Sequence, residues 1–125
     1  MTLPPQVLSP LDGRYHAAVA PLGEYLSEAG LNRARVHVEV EWLIFLTGKS
    51  MFGSQPLTAA QVSELRALVT TFGQPEIDEL ATLEATTRHD VKAVEYLVRD
   101  RLSKLGLDSI AELTHFACTS EDINN

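Results

Sequence analysis

Between Asp90 and Gly106 an apolar series runs through Val91, Val94, Val98, Leu102 and Leu105. Separations of three and four put all five on one side of an α-helix and on no single face of a β-strand. Such a stripe has to be buried against other apolar surface, so the fold must supply at least a second layer. The pattern predicts a helix that starts at Asp90, placed as its cap, and stops at Gly106, where a missing Cβ suits the left-handed conformation on which helices end.

The rest of the chain repeats this logic. Leu31 to Leu46 predicts a first long helix with Val36, Val40, Leu43 and Ile44 on its buried side and Gly48 as its C-cap. Val36, Val38 and Val40 also alternate as a strand would, but their charged, helix-favouring neighbours favour helix. On this helix His37, Glu39, Glu41 and Trp42 read as a solvated face with one anchoring aromatic. Thr58-Ala-Ala-Gln61 has the form of a capping box and predicts a helix carrying Val62, Leu65, Val69 and Phe72, ended by Gly73. Pro75 and Glu76 open a further helix through Ile77, Leu80 and Leu83. Residues 1 to 15 read as an irregular arm with three prolines, and residues 16 to 29 as a short helix or pair of turns, broken at Pro21 and Gly23 and closed by Gly30. The expected class is all-α.

Composition narrows the function. With 125 residues, 45% hydrophobic and 22% charged, the chain has the balance of one globular domain. No apolar run approaches the ~20 residues that span a bilayer, and Met-Thr-Leu-Pro-Pro-Gln-Val lacks the basic and apolar regions of a secretory signal. A single cysteine, Cys118, rules out an internal disulfide and fits a reducing compartment, so the expected location is the cytoplasm and no membrane partner is expected. A formal net charge of −7 argues against nucleic-acid binding but leaves room for a small anionic ligand met by a few local cations.

Those cations gather around Thr86-Thr87-Arg88-His89-Asp90-Val91-Lys92-Ala93-Val94-Glu95-Tyr96. Arg88 and His89 stand just outside a helix N-terminus, where free N–H groups and the dipole favour an anion, and Lys92 and Glu95 follow in its first turns. His89 reads either as a structural histidine or as a proton-transferring one tuned by its carboxylate neighbour. Asp12-Gly13 is a turn dipeptide that projects Arg14 and Tyr15 together. The pair is either a surface turn or a donor fork beside a stacking face, suited to a phosphate and a base. Thr119 and Asp122 have capping-box spacing, which makes Thr119 and Ser120 either an ordinary cap or a pair of hydroxyl donors. That helix begins only a few residues before Asn125, which suggests the front part of a longer protein. No glycine-rich phosphate loop, cysteine pair or His-Glu-x-x-His is present; His89 and His115 alone would lack further metal ligands, so no metal is expected.

Three segments together resemble a known family. Ser9-Pro10-Leu11-Asp12-Gly13-Arg14-Tyr15, Thr87-Arg88-His89-Asp90-Val91-Lys92-Ala93-Val94-Glu95-Tyr96 and His115-Phe116-Ala117-Cys118-Thr119-Ser120-Glu121-Asp122-Ile123-Asn124-Asn125 look like the N-terminal part of the adenylosuccinate lyase family, in its order and approximate spacing. The likeness departs at Arg88, where the branch with the Lys-Ala-Val-Glu-Tyr continuation has asparagine. It implies an all-α N-terminal helical domain of the fumarase/aspartase-like superfamily over 1–110, with the arm at 1–15, and the start of a central helical bundle at 111–125. The implied enzyme is a cytoplasmic homotetramer of purine biosynthesis, without cofactor, that eliminates fumarate from adenylosuccinate and from the succinylated carboxamide ribotide. By position, Arg14 and Tyr15 resemble phosphate and nucleotide contacts. Arg88, His89 and Asp90 match a second binding segment, with His89 assisting catalysis, and Thr119 and Ser120 match donors to the succinyl carboxylates. The family's serine base and main acid histidine lie beyond residue 125, so residues 1–125 alone are expected to be inactive. Two other classes fit the pattern less well: another lyase of the superfamily, acting on argininosuccinate or fumarate, and a non-catalytic helical interaction module.

Overall fold

A computed structural model describes residues 7–125, and Met1 to Gln6 of the expected arm lie outside the described residues. Every regular element among the described residues is helical, so the all-α class holds and the alternation at Val36, Val38 and Val40 is carried on a helix. The chain divides into two compact units, which meet in sequence after Leu31.

The first unit is built from turns and short helices. Helix α1 (His16–Val19) runs through a 3₁₀ turn at Ala20–Leu22 into α2 (Gly23–Leu26). Pro21 in that turn removes a donor and forces the change of pitch. Ser27 then leaves helical geometry, with φ −78° and ψ 164°, and its hydroxyl accepts from the Gly30 N–H at 3.0 Å, which starts α3 (Glu28–Gly48). Gly30 was expected to close the preceding helix and instead sits in the first turn of α3. A Cβ on it would stand 2.5 Å from the Glu24 carbonyl oxygen, so glycine is required by the close approach of two backbones. The long helix therefore begins before Leu31, and Gly48 is its last helical residue rather than its cap.

In the second unit α3 continues and is joined by α4 (Ala59–Thr70), α5 (Gln74–Thr87), α6 (Asp90–Lys104), a 3₁₀ segment (Asp108–Leu113) and α7 (Ser120–Asn124). The capping box at Thr58 is present: Gln61 N–H donates to the Thr58 hydroxyl at 3.2 Å, and Thr58 N–H to Gln61 Oε1 at 2.9 Å. Gly73 is the N-cap of α5, and Glu76 reaches back to its N–H at 2.9 Å. Gly106, at φ +69°, ends α6. Its N–H bonds Ser103 O at 3.0 Å and the Leu107 N–H bonds Leu102 O at 2.8 Å, the paired closure of a Schellman motif.

The expected stripes converge on one core. Val36, Val40 and Leu43 of α3, Leu65 of α4, Leu80 of α5 and Val94, Val98 and Leu102 of α6 are all buried in it, with Leu97 fully enclosed beside them. Helices α5 and α6 form a hairpin. Arg101 near the end of α6 grips Glu79 of α5 through two nitrogens, at 2.8 and 3.2 Å, and fixes the two helices side by side. Arg66 of α4 holds Glu41 of α3 in the same two-pronged way, at 2.7 and 2.9 Å.

Candidate functional site

The elbow between α5 and α6 is where the titratable stretch lies. Arg88 takes the left-handed conformation at φ 51° as the C-cap of α5, and this reversal brings His89 to the head of α6. Asp90 was expected as the cap, but His89 occupies that position. Its backbone is extended at φ −150° and ψ 117°, and its Nδ1 accepts from the Lys92 N–H at 3.2 Å. A ring nitrogen that accepts carries no proton, so the neutral ring holds its proton on Nε2 while more than half of the side chain faces solvent. The cap thus fixes the tautomer: a donor N–H is presented outward at a helix N-terminus. Thr87 steadies the turn, its hydroxyl accepting from the His89 N–H at 3.3 Å and donating to the His89 carbonyl at 3.1 Å.

Asp90 begins the helix proper. Its Oδ1 accepts from the Val91 N–H at 2.8 Å and its Oδ2 lies 2.9 Å from Arg35 of α3. Partial burial works to raise the pKa of Asp90, but the Val91 N–H and the Arg35 guanidinium together outweigh it and hold the carboxyl below its ordinary range. Lys92 is not a free cation. Its ammonium pairs with buried Glu95 at 2.9 Å and lies over the Tyr96 ring at 5.3 Å, so its contribution to anion binding is partly spent within the helix.

A polar stripe on α3 collects the third segment. Arg35 donates from Nε to Asn124 Oδ1 at 2.8 Å; Glu39 meets His115 Nδ1 at 2.5 Å; Trp42 donates from Nε1 to the Phe116 carbonyl at 2.8 Å. Glu39, expected on a solvated face, is fully buried, and its Oε2 has no hydrogen-bond partner among the described residues. Burial pushes its carboxyl up, and the His115 hydrogen bond pulls back only part of the shift. His115 and Ala117 both adopt positive φ, 61° and 60°, and these two reversals bend the chain along α3 before α7 begins. At that point the Asp122 carboxylate accepts from the Thr119 N–H at 2.7 Å and its hydroxyl at 3.0 Å, the reciprocal half of the expected box, while the Asp122 N–H bonds the Thr119 carbonyl at 3.1 Å. Thr119 is exposed and Ser120 half-buried.

The second and third expected segments are therefore brought together through Arg35, which touches both Asp90 and Asn124. The first segment belongs to the other unit. There the Ser9 hydroxyl accepts from the Leu11 N–H at 3.2 Å, the Tyr15 N–H bonds the Pro10 carbonyl at 2.9 Å, and the exposed Arg14 guanidinium lies 5.5 Å from the centre of the Tyr15 ring. The turn presents the two side chains as neighbours, with the cation within reach of the aromatic ring. Arg35 went unassigned in the sequence, and Glu39 was placed on the solvated face. A signal was available: positions 35, 39 and 42 run one residue ahead of the apolar 36, 40 and 43, so they share the flank of the buried stripe instead of the opposite face. Among the described residues no cluster of three or more histidine, cysteine or acidic side chains is arranged to hold a metal, and no helix is long and apolar enough to cross a membrane.

No family model matches the chain. Individual relatives do. It is 43% identical over 120 residues to the adenylosuccinate lyase of Escherichia coli (strain K12) and, at the same identity and length, to that of Haemophilus influenzae. It is 38% identical over 124 residues to the adenylosuccinate lyase of Dictyostelium discoideum. Each match takes in 94% of this chain and 26% of the relative. The resemblance to adenylosuccinate lyases is thus borne out across nearly the whole chain, which spans about a quarter of the length of those enzymes.

Proposed function

We propose that the chain supplies the nucleotide-binding part of an adenylosuccinate lyase, in which fumarate is eliminated from adenylosuccinate and from the succinylated carboxamide ribotide of purine biosynthesis. The observation that carries this reading is the capped His89. Its Nδ1 is occupied by the Lys92 N–H, so the neutral ring turns an Nε2–H outward beside Arg88 within a segment shared with the lyase family. Elimination removes a proton beside a carboxylate and returns one to the departing nitrogen. A donor held at a helix N-terminus suits the second half of that task and also stabilises the negative charge that builds up in the first. In this reading Arg14 and Tyr15 take the phosphate and base, Arg88, His89 and Asp90 the reacting region, and Thr119 and Ser120 the succinyl carboxylates. The active protein is a cytoplasmic homotetramer that needs no cofactor. Residues 1–110 are its N-terminal domain and residues 111–125 open its central bundle. The serine base and main acid come from beyond residue 125, so residues 1–125 alone release no fumarate.

The test is fumarate release from adenylosuccinate, followed by absorbance, in the full-length lyase carrying this chain and in its His89→Ala variant. Loss of an assisting proton donor should lower kcat about 100-fold or more. A full-length protein without activity, or residues 1–125 with it, would overturn the reading.

A further inference from the structure

Arg35 was assigned no role by its place in the sequence, and its surroundings give it one. The residue is 6% exposed, and each of its three guanidinium nitrogens has a different partner. Nη2 meets Asp90 Oδ2 at 2.9 Å, Nε donates to Asn124 Oδ1 at 2.8 Å, and Nη1 donates to Asn32 Oδ1 at 3.0 Å. The Asn32 contact is within α3 and orients the fork. The other two reach separate segments, one at the head of α6 and one in α7. A planar group with fixed donor directions sets distance and angle together, which an ammonium on a flexible stem cannot do.

Resting on the proposed lyase reading, we propose that Arg35 is a positioning residue for the reaction: by holding Asp90 and Asn124 on one guanidinium it fixes the His89–Asp90 elbow and the Thr119–Ser120 hydroxyls at one separation. It touches no substrate. Its effect is geometric, since donors displaced by about 1 Å from the reacting group cost on the order of 100-fold in rate.

The experiment compares Arg35→Met, Arg35→Lys, Asn124→Ala and, as a control in a matched surface pair, Arg66→Met, all in the full-length lyase. Three quantities are read: kcat/KM for adenylosuccinate, the thermal midpoint, and hydrogen exchange in peptides covering residues 86–96 and 115–125. Arg35→Met should lower kcat/KM about 100-fold and speed exchange about tenfold in both peptides. Arg35→Lys should return the midpoint to within a few degrees of the parent, yet recover no more than about a tenth of the lost kcat/KM, because one ammonium cannot serve both segments. Asn124→Ala should loosen the 115–125 peptide alone, and Arg66→Met neither. Parental exchange in both peptides of Arg35→Met, or recovery of midpoint and kcat/KM together in Arg35→Lys, overturns the proposal. If Arg35→Met does not fold, Asn124→Ala decides: faster exchange in 115–125 with lower kcat/KM supports it, and unchanged exchange there overturns it. If the parent enzyme releases no fumarate, the lyase reading fails while the exchange data still decide whether Arg35 holds the two segments.

Discussion

Among the described residues Glu39 carries a carboxyl into the core with one hydrogen-bond partner, His115, and one oxygen left without any. Because burial raises its pKa above the ordinary 4.5, the native state holds this proton to higher pH than the unfolded chain does. More protons are bound by the folded form in the window above 4.5, so stability from this group declines as pH rises through it. Glu39→Gln keeps an acceptor for His115 and removes the charge. Urea midpoints between pH 4.5 and 7 should show a variant at least as stable as the parent at pH 7 and less dependent on pH. Asp90 has the opposite sign: its depressed pKa adds stability above the ordinary range that is lost as pH falls. Cys118 is pushed up, first by burial and then by the Glu39 and Asp122 charges, so little thiolate forms at neutral pH. Its alkylation by iodoacetamide at pH 7.5 is expected to be about tenfold slower than that of a free thiol, measured by intact mass. None of this was legible at single positions. Glu39 looks solvated in the sequence because the acid that buries itself and the histidine that receives it lie 76 residues apart.

At the scale of elements, local chemistry was readable wherever the signal and the structure were both local. Thr58, Gly106 and Pro75 mark their helix ends because each acts on its own backbone within a few residues. Thr58→Ala is expected to cost about 1 kcal/mol by chemical denaturation, from loss of a cap. Gly106→Ala should cost about 1–2 kcal/mol, since a Cβ is strained at φ +69° even though open space surrounds it. The boundaries that were misread, Gly30 and the head of α6, were decided by something else. Glycine at 30 answers to the Glu24 carbonyl pressing on it, and His89 holds the capping position because the left-handed turn at Arg88 leaves its backbone extended one residue before the helix.

For the second unit as a whole, the apolar stripes defined the core because burial needs only periodicity. Leu97, fully enclosed, should lose about 2–5 kcal/mol on replacement by alanine, read from the urea midpoint. The polar joints between distant segments follow no period and depend on the folded path of the chain. They also impose an order of events. The partners of Arg35, Glu39 and Trp42 in the final segment lie 89, 76 and 74 residues downstream, so α3 leaves the ribosome with a row of polar groups whose partners are made only at residues 115 to 124. Until then the helix can be shaped but not finished, and bringing those distant residues together carries the entropic cost of closing a long loop. Deleting residues 114–125 should therefore destabilise the second unit by about 3 kcal/mol or more, as a lower urea midpoint, through one buried carboxyl, one guanidinium and one indole N–H left waiting. A helix near the front of the sequence is proofread by a segment 74 to 89 residues downstream of it.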